Sequence, residues 1–223
     1  MGDNRAMTTT GSTRTVVHLL RHGEVHNPGG VLYGRLPGFR LSDLGRQMAE
    51  RVAEHLTGRD IVHLVSSPLQ RAQETAAPSA EALGLEPEVD ERVIEAANHF
   101  EGMTFGQGEG KLSNPRHWPY LRNPLEPSWG EPYKEISVRM LAAVDTARRA
   151  ARGHEALIVS HQLPIWTLRR TIEGKRLWHD PRNRECALAS LTTLTYEGDD
   201  PVSLSYSEPA VDLVARARPG AGA

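Results

Sequence analysis

A chain of 223 residues, 39% hydrophobic and 24% charged, is ordinary globular material, long enough for one large domain with a real core and room for an insertion. Its formal net charge of −2 argues against bulk binding to nucleic acid or a membrane surface, and no apolar run approaches the roughly 20 residues of a membrane span. The single cysteine, Cys186, excludes an internal disulfide and fits a reducing, cytoplasmic setting.

Residues 1–13 are small and polar, lack the apolar core of a signal peptide, and read as a loose tail. Thr15-Val16-Val17-His18-Leu19-Leu20 reads as a buried strand that runs into Arg21-His22-Gly23-Glu24. A Gly- and Pro-rich loop over 25–40 follows. Ser42 is a suitable N-cap for a helix to about Leu56, with Leu44, Met48, Val52 and Leu56 at helical spacing and Gly58 beyond its end. Ile61 to Val65 predicts a second strand. Ser67 as cap and Pro68 at the first helical position predict a helix to about Leu83. A weak strand is expected near Glu88 to Arg92.

From Asn98 to Tyr133 the periodicity fails, and five prolines interrupt the stretch. Trp118, Tyr120 and Trp129 argue for a packed cap over a site, placed at about 98–134. A helix is expected from about Glu135 to Arg152, a strand over Ala156–Val159, and a helix over Leu163–Ile172. Leu188–Tyr196 and Val202–Tyr206 are expected to pair as a hairpin across Gly198-Asp199. Residues 209–223 read as a second loose tail. The single domain is thus bounded at 14–208, and its C-terminal strands and tail could supply a homodimer interface.

Short apolar strands alternating with helices predict a three-layer α/β/α sandwich with a mainly parallel sheet. Ligands of such sheets bind outside the carboxyl ends of the strands. Three expected strands end there in Arg21-His22, Ser67 to Arg71 and Ser160-His161. Arg supplies a permanently charged planar fork for phosphate, and neutral His supplies a nitrogen nucleophile. Arg71 falls in a first helical turn, where backbone amides also favour an anion. A phosphomonoester site built this way has His22 as nucleophile and Arg21, Arg71 and His161 around the phosphoryl oxygens. Its leaving alkoxide needs an acid, for which Glu95 is the candidate and Glu24 and Glu101 are alternatives. His18, His22 and His26 recur every four residues, but in a strand-then-loop region that spacing does not gather them on a metal. Arg35, Lys111 and Arg116 read as solvated surface.

These segments, in this order, resemble the histidine phosphatase superfamily in its phosphoglycerate-mutase-like branch. The likeness rests on Arg21-His22-Gly23-Glu24 with Asn27; on Gly34, Pro37, Leu41, Gly45 and Gln47; on Ser67-Pro68-Leu69-Gln70-Arg71-Ala72-Gln73-Glu74-Thr75-Ala76; and on Ser160-His161. It implies the phosphoglycerate-mutase-like fold, a phosphohistidine at His22, and a phosphate pocket of Arg21, Arg71 and His161 helped by Asn27. It also implies no metal or other cofactor. The family's acid maps to Glu95, ahead of Glu101-Gly102. Val25 stands where a hydroxyl residue is usual, His99-Phe100 replaces a Gly-x-Trp pattern, and Gln162 stands where Gly is common; its backbone amide could still face a phosphate. The expected activity is hydrolysis of a small phosphorylated metabolite. The alternatives are a cofactor-dependent phosphoglycerate mutase sharing the first step, and a non-catalytic phosphate-binding regulatory module.

Overall fold

The structure, a computed structural model, describes residues 13–104, 118 and 129–217. Six strands form one sheet in the order β3-β2-β4-β1-β5-β6. They are β1 (Arg14–Arg21), β2 (Ile61–Ser66), β3 (Glu88–Val89), β4 (Glu155–Ser160), β5 (Leu191–Glu197) and β6 (Asp200–Ser207). β3, β2, β4 and β1 are parallel, whereas β5 and β6 are antiparallel additions at the β1 side. The hairpin turns at Gly198, whose φ of 62° is the left-handed conformation glycine takes without penalty.

Side chains alternate across the sheet, as the two-residue strand period requires. Val17, Leu19, Ala156 and Ile158 face α3 (Tyr133–Ala150) and α4 (Gln162–Ile172). Leu20, Leu64, Leu157 and Val159 face α1 (Asp43–Leu56) and α2 (Gln70–Leu83). Helices therefore cover both faces, and the three-layer expectation is correct. No described helix is long and apolar enough to cross a membrane.

Four expectations need correction. Ser67 does not cap α2: the helix begins at Gln70 with Leu69 in the cap position and no side-chain cap bond. The Ser67 hydroxyl is instead 2.8 Å from His161 Nε2. Residues 211–214, expected in a loose tail, form the short helix α5 (Val211–Val214), with Leu213 buried against the α1/α2 layer and Asp212 bonded to Arg51. Trp118 is 61% exposed, so it does not pack as a cap residue. Arg35 is not a solvated residue but bonds the Glu95 carbonyl and Glu131. Most of the expected cap, including Tyr120, Lys111 and Arg116, lies outside the described residues. Its stem is described: His99 N–H donates to the Trp129 carbonyl, and Glu131 N–H donates to that of Ala97.

Where the chain leaves β1 it passes very close to α1. A Cβ on Gly23 would lie 2.6 Å from the Gly45 carbonyl oxygen, and a Cβ on Gly45 would overlap the Glu24 carbonyl. Both obstacles are backbone, so no side-chain adjustment relieves them. Gly45 lies in the first turn of α1, where Ala would be favoured by about 1 kcal/mol on helix propensity. Gly45→Ala is nevertheless expected to destabilise by about 1–3 kcal/mol, seen as a lower Tm, and to displace the turn bearing His22.

Candidate active site

β1 and β4 are parallel neighbours, with Arg21 opposite Ser160 in the register. The residues after those two strands, His22 and His161, are therefore brought side by side, and their ring centroids are 5.1 Å apart. β2 lies beyond β4, and the chain from its end leads through Ser67 into α2. Arg71, in the first turn of α2, reaches the same place: its guanidinium lies 4.7 Å from the Tyr33 ring centre, and Nη2 donates to the Gly34 carbonyl. Thr75 ties the two segments together by accepting the Gly23 amide and donating to the Arg71 carbonyl.

These polar side chains are withdrawn from water. His22 and His161 are 0% exposed, Arg71 1%, Glu95 3% and Arg21 9%. Buried polar atoms are normally hydrogen-bonded, and an unpartnered one calls for an explanation. Among the described residues, Arg21 Nε, His22 Nε2, Arg71 Nε, Glu95 Oε2 and His161 Nδ1 are buried without a partner. Each belongs to a predicted site residue. Ser79, Trp166, Thr167 and Thr192 each contribute one further such atom.

The remaining bonds of these residues hold them in place. His22 Nδ1–H donates to the Gly23 carbonyl at 2.8 Å, so the lone pair of the neutral ring lies on Nε2. Burial, then the Arg71 and Arg21 guanidiniums, hold the His22 pKa well below 6.5. His161 is lowered in the same way, by burial first and then by Arg71 and His22. Arg21 Nη1 donates to the Cys186 carbonyl. Glu95 Oε1 accepts the Ala96 amide, and burial raises its carboxyl pKa against the opposing pull of Arg71. A carboxyl so placed keeps its proton to higher pH, as a general acid requires.

Two predicted residues are used differently. Asn27 spends both ends of its amide on the Val31 backbone, closing its own loop. Gln162 is the first residue of α4, with Nε2 donating to the Cys186 carbonyl and Oε1 accepting from Arg184. Of the alternative acids, Glu24 accepts from the Ser42 hydroxyl and Glu101 from the Asn98 amide. The residue that sequence reasoning missed is Arg184. It lines a cavity of about 100 Å³ beside Glu95, together with Leu32, Trp129 and Tyr133. Arg184 Nε donates to His179 Nε2, and no described carboxylate forms an ion pair with it. Nothing in its Arg- and Pro-rich stretch marks it out, because its partners are 5 and 22 residues away.

The fold is that of an α/β domain, and Arg21, His22, Arg71, Glu95 and His161 are the buried side chains of its candidate site. A family model described as histidine phosphatase superfamily (branch 1) matches residues 17–209, and the chain belongs to that superfamily. An uncharacterised Mycobacterium tuberculosis protein, Rv0525, is 60% identical over 196 residues, covering 88% of this chain and 97% of its own. A probable phosphoglycerate mutase, GpmB of Yersinia pestis, is 28% identical over 188 residues, covering 81% of this chain and 85% of its own. Among solved structures, a mycobacterial glucosyl-3-phosphoglycerate phosphatase, Rv2419c, superposes with a TM-score of 0.69 at 24% identity, covering 87% of this chain and 98% of its own.

Proposed function

We propose that the protein is a phosphatase that hydrolyses a small phosphomonoester through a phosphohistidine on His22, with Glu95 as proton donor. The observation that carries this is the buried, unpartnered Nε2 of His22, whose lone pair the Gly23 carbonyl fixes in place. In the first half-reaction Nε2 forms a bond to phosphorus while the bond from phosphorus to the ester oxygen breaks. Glu95 gives its proton to that oxygen, and the alcohol leaves. Glu95, now a carboxylate, takes a proton from water; the water oxygen bonds to phosphorus, and the N–P electron pair returns to Nε2. Phosphate leaves and Glu95 is protonated again.

Arg21, Arg71 and His161 stabilise the equatorial oxygens throughout. Ser67 orients His161: its oxygen accepts the Leu69 amide, and its proton directed at His161 Nε2 leaves the ring proton on Nδ1, the atom without a protein partner. Gln162 opens α4, whose N-terminal amides favour the same anion. Asn27 contributes by shaping the loop beyond His22. A cytoplasmic location belongs to the same proposal and rests on the lone buried thiol of Cys186.

The relatives' names include both a mutase and a phosphatase, and the substrate panel below separates the two. A mutase must hold a bisphosphate in two orientations, which takes cations for a second phosphoryl group. Among the described residues lining the cavity beside Glu95, Arg184 is the one cation. Arg184 suits an anionic group on the leaving alcohol: Arg184→Met is expected to raise KM about tenfold or more for a carboxylated phosphoester and to leave p-nitrophenyl phosphate within about threefold.

The test is a phosphomonoester panel that includes 3-phosphoglycerate, with and without 2,3-bisphosphoglycerate. Release of phosphate in step with ester loss is the expected result. Isomerised phosphoglycerate without net phosphate would instead identify a mutase. Competitive phosphate binding with no turnover on any ester would identify a non-catalytic module.

A further inference from the structure

The backbone that carries Glu95 belongs to no helix or strand, yet it is held on both sides of that residue. Glu95 follows a 3₁₀ turn over Glu91–Val93, and Ile94 is that turn's C-cap. From α3, Arg139 Nη1 donates to the carbonyls of Arg92 and Ile94, both at 2.7 Å. From the loop after β1, Arg35 Nε donates to the Glu95 carbonyl, also at 2.7 Å. Between the two guanidiniums sits the Glu131 carboxylate. It accepts from Arg139 Nε at 2.7 Å, from Arg139 Nη2 at 3.0 Å and from Arg35 Nη2 at 2.8 Å.

None of the three residues belongs to the group whose buried atoms lack partners. Their side chains are 12% (Glu131), 16% (Arg139) and 35% (Arg35) exposed, so the pairs are partly desolvated and geometrically fixed. Glu131 also lines the cavity beside Glu95, and its amide donates to the Ala97 carbonyl at the stem of the 98–130 excursion. One carboxylate therefore joins three parts of the chain around the peptide units that flank the acid.

We propose that Glu131, with Arg35 and Arg139, is a positioning clamp that sets the Glu95 carboxyl at the leaving-group oxygen. The proposal rests on the role given to Glu95 above. Without the Glu131 carboxylate, two like charges face each other and the grip on the Ile94 and Glu95 carbonyls loosens. Misplacement of a catalytic group by about 1 Å costs on the order of 100-fold in rate. In kcat/KM, which stops at release of the alcohol, the loss falls on the step that protonates the leaving oxygen. An alkyl phosphate, whose alkoxide is a poor leaving group, depends on that proton; p-nitrophenyl phosphate, whose phenolate leaves readily, depends on it far less. A merely structural role would slow both esters alike.

The experiment compares kcat/KM, which reports the reaction up to release of the alcohol, for β-glycerophosphate and p-nitrophenyl phosphate in wild type, Glu131→Gln, Arg139→Lys and Arg35→Gln. Arg35→Gln alters the most exposed member and retains the fold if Glu131→Gln does not. The expected result is a fall of about 10–100-fold on the alkyl ester, against about threefold or less on the aryl ester. Equal losses on the two esters, or wild-type rates in all folded variants, would overturn the clamp. A wild-type protein that hydrolyses neither ester and forms no phosphohistidine would overturn the function on which the clamp rests, a result distinct from failure of the clamp alone.

Discussion

His22→Ala is expected to lower kcat by about 10⁴-fold or more on every phosphomonoester, because the atom that forms the covalent bond is gone. Binding of the anion should survive, since Arg21, Arg71 and His161 are untouched. Inorganic phosphate at 100 times its Kd should still stabilise the variant by about 2.7 kcal/mol, read as a rise in Tm. The charge state of the two imidazoles also sets a pH dependence. His22 and His161 have folded pKa values below 6.5, by burial first and then by Arg71. Below pH 6.5 the unfolded chain takes up protons that the folded chain refuses, so stability falls as pH drops. His22→Ala should flatten that acid-side slope while abolishing turnover. Steady-state kinetics and thermal melts across pH 5–8 check both halves.

Glu95→Gln is expected to cost about 10²–10⁴-fold in kcat/KM on alkyl phosphates, the range for losing a general acid, and much less on p-nitrophenyl phosphate. Its effect on stability should have the opposite sign. Burial raises the folded pKa of Glu95 above 4.5. Between 4.5 and that raised value the folded chain keeps a proton that the unfolded chain has released, so stability declines as pH rises through the interval. Gln cannot ionise, so the decline disappears, and at neutral pH the variant should melt at or above the wild-type Tm. A slower but equally or more stable variant is the pattern of a residue whose burial serves the reaction. A large loss of Tm with equal losses on both esters would instead make Glu95 a structural residue.

The parts of the fold legible in the sequence are those fixed by local pattern. Short, mostly apolar runs at Val16–Leu20 and Ala156–Val159 read as strands covered on both faces, and the chemistry-bearing residues sat directly after them. Parallel pairing of β1 with β4 then placed His22 beside His161, as the strand-end argument required. What stayed hidden depends on contacts distant in sequence. Ser67 and Pro68 carry a good local helix-start signal, but the Ser67 hydroxyl lies against His161, 94 residues away, and α2 starts later. Leu213 gives no periodic signal in so short a segment, yet the α1/α2 layer buries it. Arg35 looked like surface because its partners, Glu95 and Glu131, are 60 and 96 residues on. Arg184 and Glu131 carry no motif at all, and only the closed fold shows them lining one cavity with Glu95.

The most direct measurement is to mix the protein rapidly with a phosphomonoester, quench under alkaline conditions, and map phosphate on the peptides by mass spectrometry. The expected result is an acid-labile, alkali-stable phosphoryl group on His22, absent from His22→Ala and longer-lived in Glu95→Gln, where water is no longer deprotonated. Turnover with no phosphate on His22, or with phosphate on another residue, would contradict it.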